Sequence, residues 1–123
     1  MTRTLLSRTA IAVLLALGLA GPAFAHAHLK SAVPAVDGTV AAAPSELDLT
    51  FSEAINLKLS GVKVTGPDGG AVATTGAMLM NADTTLMVAL PAGLKPGSYK
   101  VDWHALARDG HATHGSYGFT VKP

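Results

Sequence analysis

Residues 99–104 read Tyr-Lys-Val-Asp-Trp-His, and residues 117–122 read Tyr-Gly-Phe-Thr-Val-Lys. Apolar side chains recur at every second position of both segments, which is the period of a β-strand with one buried face. Residues 47–52 and 62–65 alternate in the same way, and the more uniformly apolar residues 85–90 are typical of a central strand. These segments predict an all-β protein.

Glycine and proline recur at short intervals between these segments, so no stretch is long enough to predict an amphipathic helix. Residues 67–70, Pro-Asp-Gly-Gly, predict a turn between two strands. About six or seven short strands favour a β-sandwich or a small Greek-key barrel. The predicted aromatic core consists of Phe51, Tyr99, Trp103, Tyr117 and Phe119.

Residues 1–25 differ in composition from the rest of the chain. They contain two arginines, no acidic residue and an apolar run over residues 11–20, followed by Ala23-Phe24-Ala25. This order predicts a secretory signal peptide cleaved after Ala25, which leaves residues 26–123 as one exported domain. The apolar run is shorter than the roughly 20 residues that span a bilayer.

The composition of that domain excludes several classes of protein. Removing Arg3 and Arg8 with the signal peptide changes the formal net charge from +1 to −1, which argues against nucleic-acid binding. The chain has no cysteine, so zinc fingers, iron–sulfur clusters and thiol enzymes are excluded, and the core must form without disulfides.

The histidines lie near the two ends of the predicted domain. They are His26, His28, His104, His111 and His114. Cleavage after Ala25 makes His26 the first residue, and its α-amine and imidazole Nδ1 can then close a chelate ring on one metal ion. The reference pKa of an α-amine is about 7.7–8.0, so a metal can displace its proton near neutrality. Cleavage after Ala27, which also fits the small-x-small pattern, would place His28 first instead.

Asp109 and His111, separated by Gly110, are the candidates for the remaining ligands. The glycine allows the backbone to turn so that both side chains face one ion. Nitrogen and carboxylate donors in a tetragonal arrangement suit Cu(II), which also heads the affinity series of divalent ions. The alternative interpretation is an ordinary Asp-Gly turn in which Asp109 only caps the backbone.

Taken together, these features resemble the CopC family of periplasmic copper-binding proteins. The resemblance runs in order along residues 26–123. It rests on these motifs: His26-Ala27-His28-Leu29, Ser31, Pro34-Ala35, Phe51-Ser52-Glu53, Val101-Asp102-Trp103, Asp109-Gly110-His111, Gly115-Ser116-Tyr117 and Phe119-Thr120-Val121.

The resemblance implies a seven-stranded Greek-key β-barrel of immunoglobulin-like shape. It implies a Cu(II) site formed by the N-terminal histidine and an Asp-x-His pair, roles that fall on His26, Asp109 and His111. The family's glutamate after Phe-Ser falls on Glu53, close to the metal, where it would orient the ligands. It also implies a periplasmic location and an inner-membrane copper transporter of the CopD type as partner.

Some members of that family bind Cu(I) through a methionine-rich loop, whereas this chain offers only Met78, Met80 and Met87. We interpret Met78 and Met80 as core or half-buried packing and predict no separate Cu(I) site. Weak or accessory roles at the Cu(II) site are open for His28 and His114. His104 alternates with Trp103 and should therefore face solvent.

The sequence thus favours a monomeric periplasmic Cu(II) carrier or buffer rather than an enzyme. Two alternatives remain open. One is a small copper oxygenase with a histidine brace, which would also use the N-terminal His26. The other is an immunoglobulin-like interaction module without a metal, in which His26 is only a chain end.

Overall fold

The computed structural model describes residues 26–123, so the predicted signal peptide, residues 1–25, lies outside the described residues. The described part contains nine strands and one short 3₁₀ helix at Leu57–Leu59. The strands are β1 (Leu29–Val33), β2 (Gly38–Val40), β3 (Glu46–Phe51), β4 (Gly61–Thr65), β5 (Ala71–Val72), β6 (Thr75–Met80), β7 (Thr85–Ala89), β8 (Gly97–Leu106) and β9 (Ala112–Val121).

The strands form two sheets that pack face to face. The smaller sheet has the order β1-β3-β7-β6, and the larger has the order β2-β9-β8-β4-β5. All neighbours are antiparallel except β2 and β9, which are parallel. The chain crosses repeatedly between the sheets, and the predicted all-β, immunoglobulin-like sandwich is confirmed. The strands number nine rather than about seven because β2 and β5 are too short to show alternation in sequence.

Two local predictions are also confirmed. Strand β7 lies between β3 and β6, so the apolar segment that begins at Thr85 is a central strand. The turn between β4 and β5 is closed by Gly69 N, which donates to Gly66 O at 3.0 Å. Gly69 has φ +83°, a left-handed conformation that glycine adopts without steric cost.

The core lies between the inner faces of β3 and β7 and the inner faces of β8 and β9. All the predicted core aromatics are buried. Phe51 and Trp103 meet edge to face across the sheets with ring centroids 5.3 Å apart, and Tyr99 stacks on its cross-strand neighbour Phe119 at 5.1 Å. Burying a phenylalanine side chain of this kind contributes roughly 1.5–3 kcal/mol to stability.

The methionine interpretation is wrong for the two residues of β6. Met78 and Met80 lie on the outer face of the smaller sheet and are 48% and 40% exposed. Strand β6 is an edge strand, so its outward side chains are covered from one side only. Met87, which pairs with Met78 across β6 and β7, is half-buried.

Candidate metal centre

Four hydrogen bonds hold the segment 26–28 against the body of the sandwich. The Ser52 hydroxyl accepts from His28 N at 2.9 Å and donates to His26 O at 3.0 Å. Ser52 N donates to His28 O at 2.8 Å, and the Thr113 hydroxyl donates to Ala27 O at 2.7 Å. Ala27 is fully buried. The segment is therefore pinned between the end of β3 and the start of β9.

A tight turn between β8 and β9 presents Asp109 and His111. Gly110 N donates to Ala107 O at 3.0 Å, and Gly110 has φ +92°. One carboxylate oxygen of Asp109 accepts from His111 N at 3.0 Å. The other lies 3.1 Å from His111 Nδ1. Asp109 therefore caps its own turn and also contacts the imidazole of His111.

Three further contacts hold the turn in place. Arg108 forms an ion pair with Asp83, and its backbone N donates to Ala54 O at 3.3 Å. Ile55 and Ala107 form an isolated β-bridge. Asp83 belongs to the β6–β7 turn, in which three successive residues adopt positive φ. The sequence analysis missed these positioning contacts because they join residues far apart along the chain.

The first described residues of the chain meet this turn. The ring centroids of His26 and His111 are 4.7 Å apart with an interplanar angle of 78°, and the rings of His26 and His28 are 6.2 Å apart. His26 is half-buried, whereas Asp109 and His111 are exposed. The structure thus places the three predicted ligands side by side, although the sequence separates His26 from the other two by most of the domain.

The charge state of Asp109 follows from its partners. The backbone and side-chain hydrogen bonds from His111 hold the pKa of the Asp109 carboxyl below its ordinary value, and the nearby imidazole of His26 acts in the same direction. Each contact favours the carboxylate over the neutral acid. Asp109 is therefore an anion at neutral pH, as a metal ligand must be.

The donor atoms do not yet converge on one point. Within residues 26–123, no group of three or more His, Asp and Glu side chains is arranged to hold a metal ion as it stands. The rings of His26 and His111 meet edge to face instead. Two ligands in cis positions on an ion with bonds of about 2.0–2.1 Å lie about 3 Å apart, which matches the Asp109–His111 separation.

The accessory candidates fall in different places. His28 is exposed and lies next to His26. The side chain of Glu53 makes no hydrogen bond or ion pair within the described range. His114 lies on the outer face of the larger sheet, directly opposite His104. His104 is exposed and Trp103 is buried, so the prediction that His104 faces solvent is confirmed.

Ser52 and Thr113 are the contributors that sequence reasoning missed. Ser52 belongs to the Phe51-Ser52-Glu53 motif, and a serine immediately after a strand is a signal for side-chain capping of backbone groups. Thr113 gave no comparable signal because its partner, Ala27 O, lies 86 residues away.

The fold and this cluster define a β-sandwich with a candidate histidine–carboxylate metal site at one end. Residues 29–122 match the family model described as "CopC domain", and the chain belongs to the CopC family. It is 42% identical over 116 residues to "Protein YobA" of Escherichia coli (strain K12), with 94% of each chain covered. It is 39% identical over 126 residues to "Copper resistance protein C" of Pseudomonas syringae pv. tomato, with 96% of this chain and 99% of that protein covered.

The fold is also found among solved structures. PcoC from Escherichia coli, described as a methionine-rich copper resistance protein, superposes with a TM-score of 0.70 at 38% identity, covering 80% of this chain and 100% of that one. This chain has four methionines. Within residues 26–123 there is no helix long and apolar enough to cross a membrane.

Proposed function

We propose that this protein binds Cu(II) as cargo, through the nitrogens of His26, the carboxylate of Asp109 and the imidazole of His111. The observation that supports the proposal most is the meeting of His26 with His111 at 4.7 Å, while His111 itself contacts Asp109 at 3.1 Å. The names of the relatives, which refer to copper resistance, favour copper among the divalent ions.

The proposed donor set needs the free amine of His26. In the uncleaved chain the backbone nitrogen of His26 belongs to a peptide bond and is a poor ligand. Cleavage after Ala25 would convert it into an amine that closes a chelate ring with the imidazole. The contacts of Ser52 and Thr113 would then hold this amine near the Asp109–His111 turn. Amine, imidazole and carboxylate donors together suit the tetragonal preference of Cu(II).

Asp109 can serve the site in two ways. Its oxygen near His111 Nδ1 can bind the ion directly. It can instead keep its hydrogen bond to Nδ1, so that His111 binds the ion through Nε2 and the carboxylate orients the ring. We propose direct ligation. For Glu53 we propose an outer role in orienting the ligands, and for His28 a weak or substitute ligand, since its ring lies 6.2 Å from that of His26.

The cargo role, rather than catalysis, fits the surface around the cluster. Phe51, Tyr99, Trp103, Tyr117 and Phe119 are all buried, so these rings cannot form a flat aromatic face for a polysaccharide. A carboxylate ligand also favours retention of copper as Cu(II). We propose that a monomer in the periplasm buffers the ion and passes it to an inner-membrane copper transporter of the CopD type.

The test is an electron paramagnetic resonance spectrum of the exported, processed protein with one equivalent of Cu(II), after mass spectrometry has identified its first residue. We expect one axial signal with nitrogen hyperfine structure. His26→Ala should abolish that signal. A protein with one extra residue before His26 should be nearly as defective, because the amine leaves the chelate.

His104→Ala is the matched control, since it removes an exposed imidazole that is not among the proposed ligands. It should leave the one-equivalent spectrum unchanged. An aquo-copper signal from the native protein, or a spectrum that His26→Ala does not alter, would contradict the proposal and favour a metal-free interaction module. Peroxide-driven cleavage of chitin or cellulose by the copper-loaded protein would instead favour the oxygenase alternative.

A further inference from the structure

A second pair of imidazoles stands outside the cluster described above. In the antiparallel pairing of β8 with β9, His104 lies directly opposite His114. Both side chains are exposed. Trp103 and Ala105, the strand neighbours of His104, are buried, so His104 and its cross-strand partner His114 lie on the outer face of the larger sheet. Directly opposed residues of an antiparallel pair have Cβ atoms about 4.5–5.5 Å apart. Two imidazoles at that spacing can reach one ion.

Neither imidazole has another polar or aromatic partner among the described residues. Within residues 26–123, the side chains of His104 and His114 form no hydrogen bond, ion pair or ring contact. The ring of His104 rests over Gly61, its partner on β4, where a Cβ would lie 3.2 Å from His104 Cε1. The missing side chain at Gly61 therefore gives this ring room to move. Exposed rings change rotamer in picoseconds to nanoseconds, so rotation about χ1 towards β9 is accessible.

A pair of imidazoles favours a particular class of metal ion. Neutral imidazole is a ligand for divalent first-row ions such as Cu(II), Ni(II) and Zn(II). The nearest carboxylate along the same face, Asp102, is already 3.6 Å from Lys100 Nζ. Water is therefore the natural ligand for the remaining positions of an ion held by the two imidazoles.

We propose that His104 and His114 form a second metal site on the outer face of the larger sheet, which binds a divalent first-row ion more weakly than the His26 cluster does. The pair shares no residue with the proposed ligands of the first site. His114 also lines, together with His28, an open cleft of about 660 Å³.

The experiment is a calorimetric titration of the processed protein with Cu(II) at pH 7, after loading with one equivalent. We expect one further ion to bind. His104→Ala and His114→Ala should each weaken this second event by about tenfold or more, since each leaves a single imidazole. His104→Ala, which removes no candidate ligand of the first site, should leave the one-equivalent spectrum and the unfolding midpoint unchanged, because its side chain is exposed.

A further variant tests whether binding of the second ion depends on the position of the histidine along β9 or only on the number of histidines. The double variant His114→Ala with Thr120→His keeps the histidine count but moves the second imidazole along β9 to a position opposite Ser98. It should bind the second ion as poorly as His114→Ala alone. The proposal is overturned if the native protein takes up no second ion, if either single variant binds it as well as the native protein, or if the register variant does so.

These experiments distinguish a failure of the His104–His114 proposal from a failure of the His26 proposal. If the pair is not a site, the His26-dependent spectrum at one equivalent persists. If the His26 cluster is not a site, the native protein and His26→Ala give the same spectrum, while binding that depends on His104 and His114 remains visible in His26→Ala.

Discussion

The β8–β9 pairing and the His26 cluster are held in place by different means. The pairing runs through ten successive residue pairs, from Gly97–Val121 to Leu106–Ala112, and its inner face is buried in the core. The cluster has exposed side chains and is positioned by a few hydrogen bonds at the chain's first described residues and at one turn.

The β8–β9 pairing therefore matters mainly for the stability of the fold, and the His26 cluster for the copper binding that we propose. A buried ladder adds apolar contacts and backbone hydrogen bonds at every step, so it resists unfolding. The side chains of the cluster have few packing contacts to hold them, so those that we propose as ligands can turn towards an ion. Changes in the ladder should alter the free energy of unfolding, whereas changes around the cluster should alter copper binding more than stability.

The largest effect is expected for Phe51→Ala. This residue is buried and packs on Trp103 between the sheets, so truncation should cost about 3–5 kcal/mol of unfolding free energy. Urea denaturation followed by tryptophan fluorescence measures it. Leu59→Ala removes a side chain that is 58% exposed, and it should stay within about 0.5 kcal/mol of the native value. Equal losses for the two variants would mean that the core does not lie between these faces.

Gly110→Ala tests the turn that presents Asp109 and His111. At φ +92° any other residue is strained, so we expect a loss of about 1–2 kcal/mol together with weaker copper binding. Gly93→Ala is the matched control, because Gly93 has φ +80° in a loop that contributes nothing to the cluster. It should lose similar stability and keep the native affinity. An equal loss of affinity in both variants would show that strain alone weakens binding.

Ser52→Ala removes the hydroxyl that joins His26 O and His28 N. Since both hydrogen bonds are exposed, we expect about 1 kcal/mol of lost stability, with a larger fractional loss of copper affinity. Titration calorimetry and urea denaturation of the same samples compare the two. Ser98→Ala, an exposed serine of β8 at the opposite end of the ladder, should change neither. If Ser52→Ala binds copper with the native affinity, the hydrogen bonds of Ser52 are not needed to position residues 26–28 for binding.

The pH dependence of the Asp109–His111 contact follows from the lowered pKa of Asp109. Because this pKa is depressed in the folded state, the contact is fully formed above the ordinary pKa of an aspartate and is lost as the pH falls through the lowered value. A nuclear magnetic resonance titration of the Asp109 carboxyl should give a midpoint below the ordinary value of an aspartate. Asp109→Asn should remove the acid-dependent change at the His111 amide. A midpoint at or above the ordinary value would contradict the contact.

The smallest effect is expected for Tyr117→Phe. The Tyr117 hydroxyl is buried without a hydrogen-bond partner within residues 26–123, and burial, together with nearby Asp48, raises its pKa. Its removal should change stability by less than about 0.5 kcal/mol or raise it slightly. Tyr99→Phe is the control, since the Tyr99 hydroxyl donates to Lys95 O, and it should cost about 1 kcal/mol. A loss for Tyr117→Phe as large as this would reveal a partner for its hydroxyl.

The sequence by itself determined the fold class, the principal strands and the aromatic core. Alternation over segments such as residues 99–104 is a local property, and it states which side of a strand is buried before any partner strand is known. It also singled out His26, Asp109 and His111, because residue type and the position of a cleavage site can be read without coordinates.

Only the tertiary structure decided how those residues meet. The distance between His26 and His111 depends on hydrogen bonds from Ser52 and Thr113, which are far from His26 in sequence. The exposure of Met78 and Met80 depends on β6 being an edge strand. The pairing of His104 with His114 depends on the register of β8 against β9. Register and edge position depend on which strands pair with one another. These pairings join distant parts of the chain, so they cannot be predicted from the alternation of a single segment.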